Sequence, residues 1–229
     1  MVRFVPVTDE ADRRLTRQGQ ERKQQLLDHA ARLFADRGYA ETRVIDIVRE
    51  AGVAKGLFYW YFENKEAVFR ELVELARHQM RRYQATAMDP EADPLVRLRQ
   101  AAEGSILFMG QQRRLYSMFD LESLDERLTK LLRSGGDVHV HDTAKHIREG
   151  IDLGLIRDED PMMLAWAVAG TVASFSHLHR TGRLEAPLLD VARFTGRFVV
   201  RSLAVSDELA AAAECGGDDR LLALAGADF

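Results

Sequence analysis

The sequence predicts an all-α fold, a small three-helix unit at the N-terminus followed by a larger helical body. Three observations carry this. Apolar residues recur at three- and four-residue spacing along most of the chain, and no clear alternating run appears. Proline is rare, five in 229 residues, while the good helix formers Ala, Leu, Arg and Glu are abundant. Start and stop signals (Gly38, Thr42, Gly52, Asn64, Asp160-Pro161) divide the pattern into segments of helix length.

Residues 1–21 read as a basic N-terminal arm; "RRLTRQGQERK" (13–23) holds five basic residues and one acidic one. Residues 22–37 place Leu27, Ala30, Ala31 and Phe34 on one face of a first helix, and Gly38 is its stop. Thr42 is placed to cap a second helix, about 43–51, with Val44, Ile47, Val48 and Ala51 apolar. Gly52 ends it, and a short third helix follows at about 54–60. Asn64 is placed to cap a fourth, from Lys65 to about Ala85, with Val68, Leu72 and Leu75 in one stripe.

"DPEADP" (89–94) breaks the pattern, because a residue before proline is pushed out of the helical region. Pro94 then suits the first turn of a fifth helix, 94–111. Further helices read at 123–133, 138–153, 161–180 and 187–204, with Asp160 as N-cap and Pro161 at the first helical position. Gly135-Gly136 marks a kink or a break. Residues 205–229 are a short docked helix or a frayed tail. The domain expectation is 22–66 for the head and 67–204 for the body. Their boundary lies at the fourth helix, because about 45 residues bury too little surface to stand alone.

Composition, 46% hydrophobic and 30% charged, is that of a soluble globular protein. The single cysteine, Cys215, excludes an internal disulfide and any CxxC metal or redox site. The N-terminus lacks the apolar core of a signal peptide, and no run approaches the roughly 18 apolar residues that span a bilayer. A cytoplasmic protein with no membrane partner is therefore expected. The net charge of −4 is uneven: residues 1–65 carry +2 and the remainder −6. A basic head on an acidic body suits a DNA-binding end, and equally a solvated basic tail.

"GVAKGLFYWYF" (52–62) sharpens that choice. Five consecutive aromatics cover more than one helical turn, so a single buried stripe cannot hold them all. Two helices joined by a short Gly-containing turn form a helix-turn-helix, whose second helix enters the DNA major groove. Four-residue spacing pairs Lys55 with Tyr59 and Gly56 with Trp60, the two rows expected to face DNA. Phe58 and Phe62 form a third row, assigned to the core. Lys55 offers donors for guanine or phosphate, and Gly56 lets the backbone come close. Aromatic rings can meet thymine methyl groups, while the polar tips of Tyr and Trp reach phosphate.

These residues carry a resemblance. The segment "LLDHAARLFADRGYAETRVIDIVREAGVAKGLFYWYFENKEAVF", about a fifth of the chain, is similar to the N-terminal domain of TetR-type transcriptional regulators. The shared positions include Phe34, Gly38-Tyr39, Thr42, Asp46-Ile47, Ala51-Gly52-Val53, Lys55-Gly56, Tyr59, Tyr61-Phe62 and Lys65-Glu66. The resemblance implies nine or ten helices, a homodimer, a double-stranded DNA operator as partner, and a variable body that binds a small-molecule effector. It implies that Lys55, Gly56, Tyr59, Trp60 and Tyr61 lie at the DNA surface. It also implies phosphate contacts from Thr42, Arg43, Tyr59 and Lys65. Three positions depart from the family pattern: Ala54 where Ser is usual, Leu57 where Thr is frequent, and Ile45 where Arg is frequent.

The body carries no GxSxG, P-loop, dinucleotide fingerprint or HExxH, so neither an enzyme nor a cofactor is expected. His139, His141 and His146 lie close enough to suggest a metal site, though surface or pocket polar groups explain them as well, and no metal is assigned. Phe108, Met109, Tyr116, Met118, Phe119, Trp166, Phe175 and His177 are candidates for the wall of an apolar ligand pocket, or for ordinary core. A dimer must hold two recognition helices about 34 Å apart. Helices 161–180 and 187–204 are the candidate interface, the second through Leu188, Val191, Ala192, Phe198 and Val199. The expected function is a repressor released from a palindromic operator by a mostly apolar ligand. The alternative is a DNA-binding dimer without an inducer, its body serving dimerisation or partner recruitment.

Overall fold

Thr16 opens the first helix. Its Oγ1 accepts from the Gly19 N–H at 3.2 Å, satisfying an amide that a helix start leaves without a partner. The structure, a computed structural model, describes residues 16–119, 125–215 and 218–226; at 133–137 and 218 the backbone alone is described. Within these residues eleven helices form, joined by one antiparallel bridge between Ile156 and Ala204. They fall into two units, one of residues 16–79, 112–119 and 125–133, the other of residues 80–111, 134–215 and 218–226.

In the first unit, α1 (Arg17–Arg37) buries Leu26, Leu27, Ala30, Ala31, Leu33 and Phe34. It begins inside the segment read as an arm, because the Thr16 cap outranks the charge signal; residues 1–15 of that arm lie outside the described residues. Gly38, at φ 85°, ends the helix. α2 (Val44–Glu50) and α3 (Lys55–Tyr61) follow, joined through Gly52 at φ 64°. There the Val53 N–H reaches Val48 O and the Gly52 N–H reaches Arg49 O, the paired bonds that close a helix onto a left-handed residue. α4 (Lys65–Ala87) starts at Asn64, whose Oδ1 accepts from the Ala67 N–H. Its Val68, Phe69, Leu72 and Val73 fill the core under the three-helix head.

The chain returns to this unit at α6 (Arg113–Ser117), which the sequence did not announce, and at the start of α7 (Glu126–Asp152). Leu115, Met118 and Leu128 join the head's core, with Tyr116 and Phe119 packed against it. The helices expected at 123–133 and 138–153 are one: α7 runs through Gly135-Gly136 without a break. A helix-interior glycine costs only about 1 kcal/mol, which flanking turns readily offset. The Arg77 guanidinium also braces the spot, donating to Leu131 O and Leu132 O at 3.2 and 2.9 Å.

In the second unit α5 (Pro94–Gln111) is central, packed against α8 (Pro161–Arg180), α9 (Leu188–Leu203), α10 (Asp207–Glu214) and α11 (Asp218–Ala225). Asp160 caps α8, accepting from the Met163 N–H with Pro161 behind it. α5 carries polar residues inward. Arg99 and Glu103 pair at 3.0 Å with both side chains nearly inaccessible, and Gln84 donates to Ser105 Oγ at 2.7 Å. α10 and α11 are the docked alternative for the tail, and with α6 they raise the helix number above nine or ten.

Candidate nucleic-acid interface

α3 is short and has no side-chain cap, since Ala54 at its N-cap lacks a hydroxyl. Its orientation comes instead from two anchors. Phe58 and Phe62 are buried in the core of the head. Lys55, Gly56, Tyr59 and Trp60 are consequently exposed, Tyr59 to 51% and Trp60 to 66%. Lys55 Nζ stands 5.8 Å from the Tyr59 ring centroid. Tyr61 is half-buried, packed against the core and edge-on to Trp60 at 4.7 Å. It braces the outward face rather than presenting a free ring.

Two of the residues implied as phosphate contacts are turned inward. Thr42 is 1% exposed, and its Oγ1 donates to Gly38 O and Leu33 O. It does not cap α2; Arg43 occupies that position, its N–H bonded to Asp46 Oδ2 at 3.0 Å. An acid at the third helical position was the signal for this bond back to the cap N–H. Lys65 Nζ donates to Tyr39 O at 2.6 Å and to Thr42 O at 2.8 Å, with Ala40 O at 3.4 Å. It lies 4.0 Å from the Tyr39 ring, and burial lowers its pKa below the usual lysine range. The ammonium thus ties the α1–α2 turn to the start of α4. Arg43 remains exposed, and so does Ile45, an apolar surface position that the core pattern did not flag.

The residues proposed for a pocket separate. Tyr116, Met118 and Phe119 belong to the head's own core. Burial raises the Tyr116 pKa above the usual phenol range. Phe108 is buried in the second unit against Tyr83, whose hydroxyl is pushed up to about 12 by burial. Met109 is half-buried there. Trp166 is exposed on α8, Phe175 meets the exposed Phe194, and half-buried His177 contacts Arg180. Aromatic content alone did not separate core, surface and body.

The stripe assigned to the dimer interface also needs correction. Val191, Ala192 and Val199 are buried within the chain, on the face of α9 that packs on α5. Leu188 is half-buried and would meet a side chain at Gly110. Of the five, only Phe198 is exposed, in line with Phe194 four residues earlier. Among the histidines, His139 meets Gln84 Nε2 at 3.0 Å, while His141 is exposed. Among the described residues no three His, Cys, Asp or Glu are placed to hold a metal ion. No described helix is long and apolar enough to cross a membrane.

A helix-turn-helix head with an exposed aromatic-basic recognition helix, followed by an all-helical body, defines the class of helix-turn-helix regulators. Residues 26–72 match the model of the bacterial regulatory proteins, tetR family. The transcriptional repressor DhaR of Mycobacterium sp. (strain GP1) is 33% identical over 148 residues, 62% of this chain and 74% of that one. The chain therefore belongs to the TetR family of bacterial transcriptional regulators. The regulator AcrR of Shigella flexneri is 39% identical over 64 residues, a segment spanning 28% of this chain and only 30% of AcrR. The SmeT–triclosan complex shares the fold with a TM-score of 0.70 at 23% identity, over 83% of this chain and 94% of that one. AcrR is named a transcriptional regulator and DhaR a transcriptional repressor.

Proposed function

We propose that this protein is a homodimeric repressor that binds a palindromic DNA operator and leaves it when a mostly apolar small molecule occupies the body. The carrying observation is the orientation of α3. Its buried Phe58 and Phe62 turn Lys55, Gly56, Tyr59 and Trp60 outward together. Arg43 adds a charge for phosphate at the N-cap of α2. Thr42, Tyr61 and Lys65 support this surface from behind. Residues 22–66 would form the DNA-binding domain and 67–204 the effector and dimerisation domain, acting in the cytoplasm. DhaR, named a repressor, supports the direction of regulation. SmeT, whose fold this chain shares, holds triclosan.

The dimer would form through the outward faces of α8 and α9. Met163 and Trp166 on α8, with Phe194 and Phe198 on α9, are the large apolar residues exposed there. Two such helix pairs make a symmetric four-helix contact. The test is selection from a random duplex pool by the full-length protein, followed by binding assays. A palindrome should emerge, and Lys55→Ala should weaken it by about 1–3 kcal/mol, the worth of one good base contact. A pool that shows no enrichment would overturn the reading. If a palindrome emerges and no compound ever releases it, the inducer-free alternative holds.

A further inference from the structure

α3 reads Lys-Gly-Leu-Phe-Tyr-Trp-Tyr from Lys55 to Tyr61. It contains no Arg, Asn, Gln, Asp or Glu. Those side chains, together with Lys, carry most hydrogen-bonded discrimination of bases: Arg or Lys for guanine, Asn and Gln for adenine, the acids for cytosine. The outward face instead offers one ammonium, one phenol, one indole N–H and a broad apolar surface. That surface is held in place. The Trp60 ring stands edge-on to half-buried Tyr61, and Tyr59 edge-on to buried Phe58 at 5.4 Å. Apart from the adjoining residues and the helix's own backbone, no atom lies within 4 Å of the space a Gly56 side chain would fill, so the helix backbone is open to close approach beside Trp60. Ile45 adds an exposed apolar side chain on α2.

In the major groove one apolar group distinguishes a base, the C5-methyl of thymine. We infer that, beside the contact Lys55 makes, this protein discriminates bases by contact with thymine methyl groups, with Tyr59 and Trp60 as the residues that read them. Lys55 supplies a guanine or phosphate contact beside them. The inference builds on the DNA-binding function proposed above and names the feature of the operator that is read.

The experiment uses the full-length protein and the duplex enriched from the random pool. Each thymine of one half-site is replaced in turn by deoxyuridine, which removes the methyl group and keeps every hydrogen-bonding atom. Binding is followed by fluorescence anisotropy. At one or more positions the affinity should fall about fourfold, the value of one buried methyl-sized group. At those positions Tyr59→Ala or Trp60→Ala should bind thymine and deoxyuridine duplexes alike. Both side chains are more than half exposed, so helical circular dichroism should stay unchanged. Wild-type protein that binds every deoxyuridine duplex as tightly as the parent overturns the inference while the DNA-binding function stands. So does a methyl effect that survives in both variants. Failure to enrich any duplex would instead remove the DNA-binding function itself.

Discussion

Lys65 shows how a residue's chemistry follows from its neighbours. A lysine at the start of α4 in a DNA-binding head suggests a phosphate contact, yet its ammonium is held by the carbonyls of Tyr39 and Thr42. Lys65→Ala should therefore act first on stability. Leaving part-buried carbonyls without their donor costs about 1–3 kcal/mol. Urea unfolding checks this, and a variant as stable as wild type would return Lys65 to the surface role. His139 makes a second prediction. Burial, with help from Arg81, lowers its pKa below the ordinary 6.5, against the opposing pull of Asp142. Just below 6.5 the unfolded chain binds the proton and the folded chain does not. The stability is thus complete above 6.5 and is lost as pH falls through the folded value. His29 and His146 are lowered in the same direction and act in the same window. Asp142, lowered from 3.8 by Lys145, acts only in stronger acid. Melting temperature should drop from about pH 8 to about pH 5, and less steeply in His139→Gln. Equal slopes would show that His139 is not a source of the pH dependence.

At the scale of an element, α9 has two faces of nearly equal apolar appearance. Val191, Ala192, Val199 and Val200 go inward, whereas Phe194 and Phe198 remain outside. The inward face is set by a close approach: a side chain at Gly196 would stand 2.5 Å from Glu103, the partner of Arg99 in the buried pair on α5. Gly196→Ala should displace that pair and destabilise the protein by about 1–3 kcal/mol, as overpacking does. A thermal shift assay reads this. Phe198→Asp should have the opposite profile, with a little-altered melting temperature for the subunit and a monomer in sedimentation. A stable Phe198→Asp dimer would place the interface elsewhere. The interior α3 anchors, the α8 cap at Asp160 and the limits of α5 were all legible in the sequence, because each depends on residues within a turn or two. The caps of α2 were less so, since Thr42 and Arg43 compete for one position and only the bonds to Gly38 and Asp46 separate them.

At the scale of the molecule, α4 and α7 each contribute residues to both units. If a ligand in the body releases the operator, it must bind the DNA-incompetent state more tightly, and the operator must weaken the ligand by the same factor. A coupling of about 1–3 kcal/mol, roughly 5- to 150-fold, is expected. Calorimetry of an effector, with and without saturating operator, measures it. Equal affinities would mean that the compound is not an inducer.

The sequence by itself determined the all-helical class, the helix-turn-helix at 42–62, and which rows of α3 lie outward. These rest on spacing and capping, which are local. The tertiary structure alone decided that Tyr116, Met118 and Phe119 fill the head's core, that one face of α9 meets α5, and that Lys65 points inward. Periodicity marks a face as apolar and is silent on what covers it, because core, pocket and interface all bury the same kind of surface. The choice among them depends on contacts between residues far apart in the chain, such as the return of residues 112–119 and 125–133 to the first unit.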